Sequence, residues 1–341
     1  MALAEKELQL VHALQIWPRA PWSHLAPILA ADPVTLTRRW SEICGRGSAW
    51  ITCQPNQKAF RHGAVVEVEC ISGSINSVVA SVSQDPSCIS IEVVSGGRSL
   101  MLTVSCATTT DLTRYLVSRL GEIPGVRSVR ANPVITTIVA GEQWRLNVLS
   151  AEQVAAIDSA RHAAGIHSEI SRSLSSDDSK ALIEVLCQDG RATSTTVGQI
   201  LGISRRRARD YIHTAFGSGL IELRTDILRR ESGWPVSAWY FLRVPAANLR
   251  EVGTRLRTLR SVRTVLSVAG PANVLVQVWL RSIDEVEGLE IAMQQALPSV
   301  SIADRSVVLA VRKRIGRTFD EDELPQGVVP WEPLASEEIL R

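Results

Sequence analysis

The feature that most constrains this chain is that it repeats itself. Placing Asp32 over Ser204, a shift of 172 residues, brings Leu25, Ile28 and Leu29 onto Val197, Ile200 and Leu201. The same shift puts Leu36 on Ala208, Trp40 on Ile212, Gly47 on Gly219, and Leu10, Val11 and Leu14 on Leu182, Ile183 and Leu186. Further along, a shift of 174 aligns Gly96 with Gly270, Pro124 with Pro298 and Val126 with Val300. Apolar positions and glycines coincide while the polar residues between them differ, as two copies of one fold do when only the core is kept.

Each copy divides into a helical and an alternating part. Apolar residues at three- and four-residue steps predict helices over 4–16, 22–30 and 33–45, and again over 177–188, 195–201 and 204–216. Asp32 and Ser204 are N-cap residues for the third helix of each group, and Pro33 suits helix entry. Pro27 is tolerable only if its helix begins late, near Ser23–Leu25. The second part reads β-α-β-β-α-β in both copies, the ferredoxin-like order. Its elements are Ala64–Cys70, 74–84, Ser87–Val94, Leu100–Cys106, 111–122 and Arg127–Val139, then Ala238–Val244, 246–259, Ser261–Val268, Asn273–Leu280, 283–297 and Ile302–Val311.

The resulting fold class is α+β, with two winged/helix-turn-helix domains and two ferredoxin-like (βαββαβ) sensing domains in tandem. The expected boundaries are 1–60, 61–140, a linker 141–176 holding a short helix capped by Ser150, 177–232, 233–315, and a tail 316–341 without order. SRSLSSDDS, 171–179, is the expected flexible joint.

Composition narrows the function classes. The net charge is only +2, so nucleic-acid binding must be argued from where charge sits. No apolar run is long enough for a membrane span, and the first residues lack the basic and apolar blocks of a signal peptide, so a cytoplasmic protein without a membrane partner is expected. Six cysteines without a CxxC pair predict reduced thiols and no metal site. The histidines are dispersed, and no P-loop, GxGxxG, GxSxG or HExxH is present; no catalytic residues and no cofactor are assigned. Trp239 and Trp279 read as packing residues at strand edges.

The third helix of each helical group is the candidate DNA reader, because a major groove about 12 Å wide admits one helix. In the second copy Ala208, Ile212 and Ala215 form the expected inner stripe, leaving Ser204, Arg205, Arg206, Arg207 and Arg209 outward as DNA-binding residues. Guanidinium groups at a helix N-terminus oppose the macrodipole, and a nearby polyanion would offset that repulsion. The first copy offers Thr35, Thr37, Arg38 and Arg39, with Val34 and Ser41 also outward. The plain alternative in each copy is a solvated helix face without a partner.

The stretch ALIEVLCQDGRATSTTVGQILGISRRRARDYIHTAFGSGLIEL, 181–223, resembles the Lrp/AsnC family of transcription regulators, and the following β-α-β-β-α-β unit resembles that family's sensing domain. The first copy is looser, with PRAPWS in place of DGR. The resemblance implies double-stranded DNA as partner, an intramolecular pseudo-dimer able to form higher homo-oligomers, and unequal operator half-sites. It also implies a small-molecule effector, an amino acid or another carboxylate, near the turn between the second and third strands: Gly96, Gly97, Arg98 and Ser99, and Gly270, Ala272 and Asn273. The acid common in that turn is absent from both copies, and Arg98 would suit an anionic group. Two tight glycine turns explain the same residues equally simply. The rival readings are a siroheme-type decarboxylase of the same architecture, and a sensing adaptor that does not touch DNA.

Overall fold

In the computed structural model, residues 3–55, 62–164, 176–217 and 221–331 are described. The boundary expected between 60 and 61, and residues 171–175 of the expected joint, lie outside them; Ser176 onward is already helix. Contacts divide the described residues into two compact units, those of 1–59 with 145–232 and those of 60–144 with 233–331.

The first unit holds α1 (Glu5–Ile16), α2 (Trp22–Ile28), α3 (Pro33–Gly45) and β1 (Ala49–Pro55), then α6 (Ala151–Ala163), α7 (Ser176–Gln188), α8 (Ser194–Leu201), α9 (Arg205–Gly217) and β6 (Ile221–Ile227). Leu10, Leu14, Leu25, Leu36 and Ile43 are fully buried among the first three helices, and Leu182, Leu186, Val197 and Ala208 among α7–α9. α2 begins at Trp22 and not late; Pro27 sits near its end, where little helix remains to be interrupted. Ser150 caps α6 in a capping box with Gln153, and the Gln153 side chain also donates to the Ile28 carbonyl (3.0 Å). The strand after each three-helix group was not expected. β1 and β6 pair antiparallel over seven residues, from Ala49 opposite Ile227 to Pro55 opposite Ile221.

The second unit contains two β-α-β-β-α-β runs. One is β2 (His62–Cys70), α4 (Ile75–Ser83), β3 (Cys88–Val94), β4 (Leu100–Cys106), α5 (Thr109–Arg114, continuing as a π-helical segment Tyr115–Leu120) and β5 (Val126–Val139). The other is β7 (Val236–Arg243), α10 (Leu249–Leu256), β8 (Val262–Val268), β9 (Val274–Leu280), α11 (Glu285–Ala296) and β10 (Ser301–Arg314). The strands pair in the order β3-β4-β2-β5-β8-β9-β7-β10, and β10 pairs again with β3, so eight strands close into a ring. The two long strands make the closure. β5 runs beside β2 as far as Pro133 and then beside β8 from Val134; β10 runs beside β7 as far as Val308 and then beside β3.

Strand alternation assigns the faces. Val66, Val68, Leu100 and Leu102 meet α4 and α5 in one core; Tyr240, Leu242, Val274 and Val276 meet α10 and α11 in the other. The intervening residues, among them Glu67, Trp239, Phe241, Gln277 and Trp279, point to the opposite face and are buried or nearly so. Trp239 and Trp279 therefore stand inside a closed sheet and not at strand edges. Trp144 lies edge-on to Trp279 (4.9 Å), and the Arg263 guanidinium stacks on the Trp279 ring (3.8 Å). The expected disordered tail is partly wrong: β11 (Arg317–Phe319) and β12 (Pro325–Val328) extend the sheet from the end of β10. Gly316, at φ +79°, makes the reversal into β11, which low hydrophobicity in 316–331 concealed. Residues 332–341 lie outside the described set.

Candidate nucleic-acid interface

α9 is held by one face and presents the other. Ala208, Tyr211 and Ile212 are buried, while Ala215 is half-buried, so Tyr211 belongs to the inner stripe. Ser204 caps the helix, its Oγ accepting from the Arg207 N–H (3.2 Å). The turn before it depends on glycine: Gly202 takes φ +66°, and a Cβ on Gly198 would sit 2.8 Å from the Ile203 carbonyl oxygen.

The four arginines are all exposed but are not equivalent. Arg207 is tied back: its Nε donates to the Tyr211 hydroxyl (2.8 Å), which donates to Asp178 Oδ2 (2.8 Å), and its guanidinium lies 3.8 Å from the same carboxylate. Arg209 has only a 4.0 Å contact with neighbouring Asp210. Arg205 and Arg206 have no hydrogen-bond or ion-pair partner among the described residues. The helix thus carries three largely uncommitted cations on its leading turns.

α3 has the same frame and a different surface. Leu36, Trp40 and Ile43 are buried. Asp32 accepts from the Thr35 N–H (2.8 Å) and the Thr35 hydroxyl (2.6 Å), and these hydrogen bonds hold its carboxyl below the usual range. The Thr37 hydroxyl donates to the Pro33 carbonyl (2.8 Å). Arg38 lies 3.9 Å from Glu42, and Arg39 is half-buried. Val34, at 77 % exposure, is the most prominent apolar side chain on this helix.

The turns expected to bind an effector have definite roles in the second unit. Gly96 takes φ +97°, and Ser99 Oγ accepts from the Cys70 N–H (3.0 Å). Asn273 does the corresponding work in the other run, accepting from the Val244 N–H (2.9 Å) and donating to its carbonyl (2.8 Å). Ala272 is buried, and a Cβ on Gly270 would meet Asn132 Oδ1 at 2.4 Å. Arg98 turns inward, only 10 % of its side chain exposed. It pairs with Glu67 Oε2 (2.7 Å) and Asp304, donates to Ser306 Oγ (2.8 Å), and stacks on Phe241 (4.1 Å).

Arg98 is therefore partnered by carboxylates from two strands, Glu67 of β2 and Asp304 of β10. Glu67 also accepts from Asn132 Nδ2 (3.0 Å). Glu92, on β3 and separated from Glu67 by Met101 of β4, accepts from Trp239 Nε1 (2.6 Å) and Gln277 Nε2 (2.9 Å). Sequence reasoning passed over Glu67 and Glu92. The available signal was carboxylates inside mainly apolar strands, as in AVVEVEC and ISIEVV.

Among the described residues, no cluster of His, Cys, Asp and Glu could hold a metal, and no helix is long and apolar enough to cross a membrane. The described cysteines carry no disulfide.

The HTH-type transcriptional regulator FL11 of Pyrococcus furiosus is 23 % identical over 143 residues, covering 42 % of this chain and 94 % of that protein. FL11 of Pyrococcus horikoshii is 23 % identical over 135 residues, 39 % of this chain and 89 % of that one. Among solved structures, the siroheme decarboxylase NirDL shares the fold across 93 % of this chain and 94 % of its own, with a TM-score of 0.57 and 11 % identity. Residues 63–144 match the family model described as the Lrp/AsnC ligand binding domain. Over those residues the chain is similar to the ligand binding domain of the Lrp/AsnC family.

Proposed function

We propose that the chain is a sequence-specific, double-stranded DNA-binding transcription regulator with two recognition helices, α3 and α9, in one polypeptide. The observation that carries this reading is the exposed face of α9. Arg205, Arg206 and Arg209 stand at or near a helix N-terminus, where positive charge is unfavourable, without strong internal compensation. Phosphates and guanine edges would supply it. An adaptor that never touches DNA would have no use for such a face. The test is duplex binding measured against salt. Each arginine that neutralises a phosphate contributes about 0.9 to the log–log slope, so R205A, R206A and R209A each flatten it by about that amount. Unchanged slopes in all three would remove the support.

An effector is proposed at the Gly96–Ser99 turn. A carboxylate ligand, such as an amino acid, would compete with Glu67 and Asp304 for Arg98, which couples occupancy to the ring of strands. The decarboxylase reading rests on a likeness of fold alone. Titrating the protein with an iron tetrapyrrole tests it, a saturable shift of the Soret band supporting that reading.

A further inference from the structure

Resting on the DNA-binding reading above, we propose that α3 and α9 read different base chemistry, with Val34 recognising the C5-methyl group of thymine in one half-site while α9 selects guanine in the other. The shift of 172 residues sets Pro33, Val34, Thr35 and Thr37 where α9 has Arg205, Arg206, Arg207 and Arg209. The leading edge of α3 thus has no cation at any of the four positions that make α9 basic.

Nor does it offer free hydroxyls. Both threonine hydroxyls are spent inside the helix, Thr35 on Asp32 and Thr37 on the Pro33 carbonyl. What remains outward at these four positions is led by the Val34 isopropyl group, 77 % exposed. A β-branched apolar residue on an exposed first turn contributes nothing to the core of its own domain and has modest helix propensity. In a major groove it has one apolar counterpart, because thymine alone among the four bases carries a methyl group there. Arg206, its counterpart in α9, presents instead the donor fork that matches guanine O6 and N7.

The experiment begins with in vitro selection of bound duplexes by the full chain. Each selected thymine is then replaced by deoxyuridine, which removes the methyl and leaves the pairing intact. Deoxyuridine at one or two positions of a single half-site is expected to weaken wild-type binding about fourfold each, the worth of one buried methyl group. V34S, which keeps an exposed residue compatible with the helix start, is expected to bind thymine and deoxyuridine duplexes equally. V34R is expected to move the selected base at that position towards guanine. If deoxyuridine has no effect on wild type, or if its penalty survives unchanged in V34S, this inference is wrong while DNA binding stands. If no duplex is selected at all, the regulator reading falls and takes the inference with it.

Discussion

Arg19 and Arg191 exchange places across the first unit. Arg19 donates to the carbonyls of Gly190 (2.6 Å) and Ala192 (2.9 Å), and Arg191 donates to those of Pro18 (2.7 Å) and Ala20 (2.9 Å). Each guanidinium therefore clasps the two residues that flank the other. Burial lowers the pKa of both, Arg191 to about 10, with repulsion from Arg19 adding to its shift. Arg191 also stacks on Trp22 (4.0 Å).

Replacing either arginine by alanine strips two carbonyls of charged donors and is expected to cost about 2–3 kcal/mol of unfolding free energy. Because the two cations repel, each single replacement also relieves that repulsion, and the R19A/R191A double variant should lose more than the two single losses together. Chemical denaturation of all four proteins measures the coupling; strict additivity would show that the two arginines act independently.

Ala30 and Gly202 mark the same turn in the two helical groups, and both adopt positive φ, +48° and +66°. Only one of them is free of a Cβ. A30G is expected to stabilise by about 1 kcal/mol and G202A to destabilise by at least as much, since left-handed backbone strains a residue with a side chain. Thermal unfolding checks both signs.

His12 is 2 % exposed, and its Nδ1 accepts from the N–H groups of Val148 (3.2 Å) and Leu149 (3.1 Å). Burial, aided by Arg145, lowers its pKa from 6.5 to about 4, so the folded state prefers the neutral ring. Its contribution is whole above pH 6.5 and is lost as pH falls through about 4, where the unfolded chain has already taken up the proton. The full loss amounts to about 3 kcal/mol. His12→Asn keeps an acceptor near the same place and should flatten the stability profile between pH 6.5 and 4. An equally steep profile in that variant would assign the acid sensitivity elsewhere.

R98A leaves the buried Glu67 carboxylate with the Asn132 donor and only the exposed Arg130 guanidinium, 3.6 Å away, as a counter-charge, and is expected to cost about 3 kcal/mol. Adding E67Q removes the stranded charge and should restore part of that loss. If R98A alone unfolds the protein, R98K compared with R98K/E67Q gives the same comparison under milder conditions.

How far the sequence spoke for itself depended on what each residue answers to. Helix and strand positions follow local periodicity, and Pro33–Gly45 and Leu100–Cys106 emerge at the limits that pattern suggests. β1 and β6 were missed because neither alternates cleanly between buried and exposed positions, and each finds its partner 166 to 178 residues away. Arg19 was hidden by setting PRAPWS against DGR as letters; at the shift of 172, Pro18-Arg19-Ala20 stands over Gly190-Arg191-Ala192, and the arginine and alanine are both kept. At the candidate interface the outward positions of α9 were readable, but not that Tyr211 and Asp178 would claim Arg207. Glu67 and Arg98 acquire meaning only when the ring of strands brings them together.

The switch of partners along β5 and β10 has a consequence for how such a molecule is made and how it can change. Neither run of strands is finished alone, since each lends the last part of its long strand to complete the other. Joined in one polypeptide, the complement is always within reach, whatever the abundance of the protein in its cell. A substitution in either half then alters one side of the molecule once, where in a pair of identical chains it would strike twice.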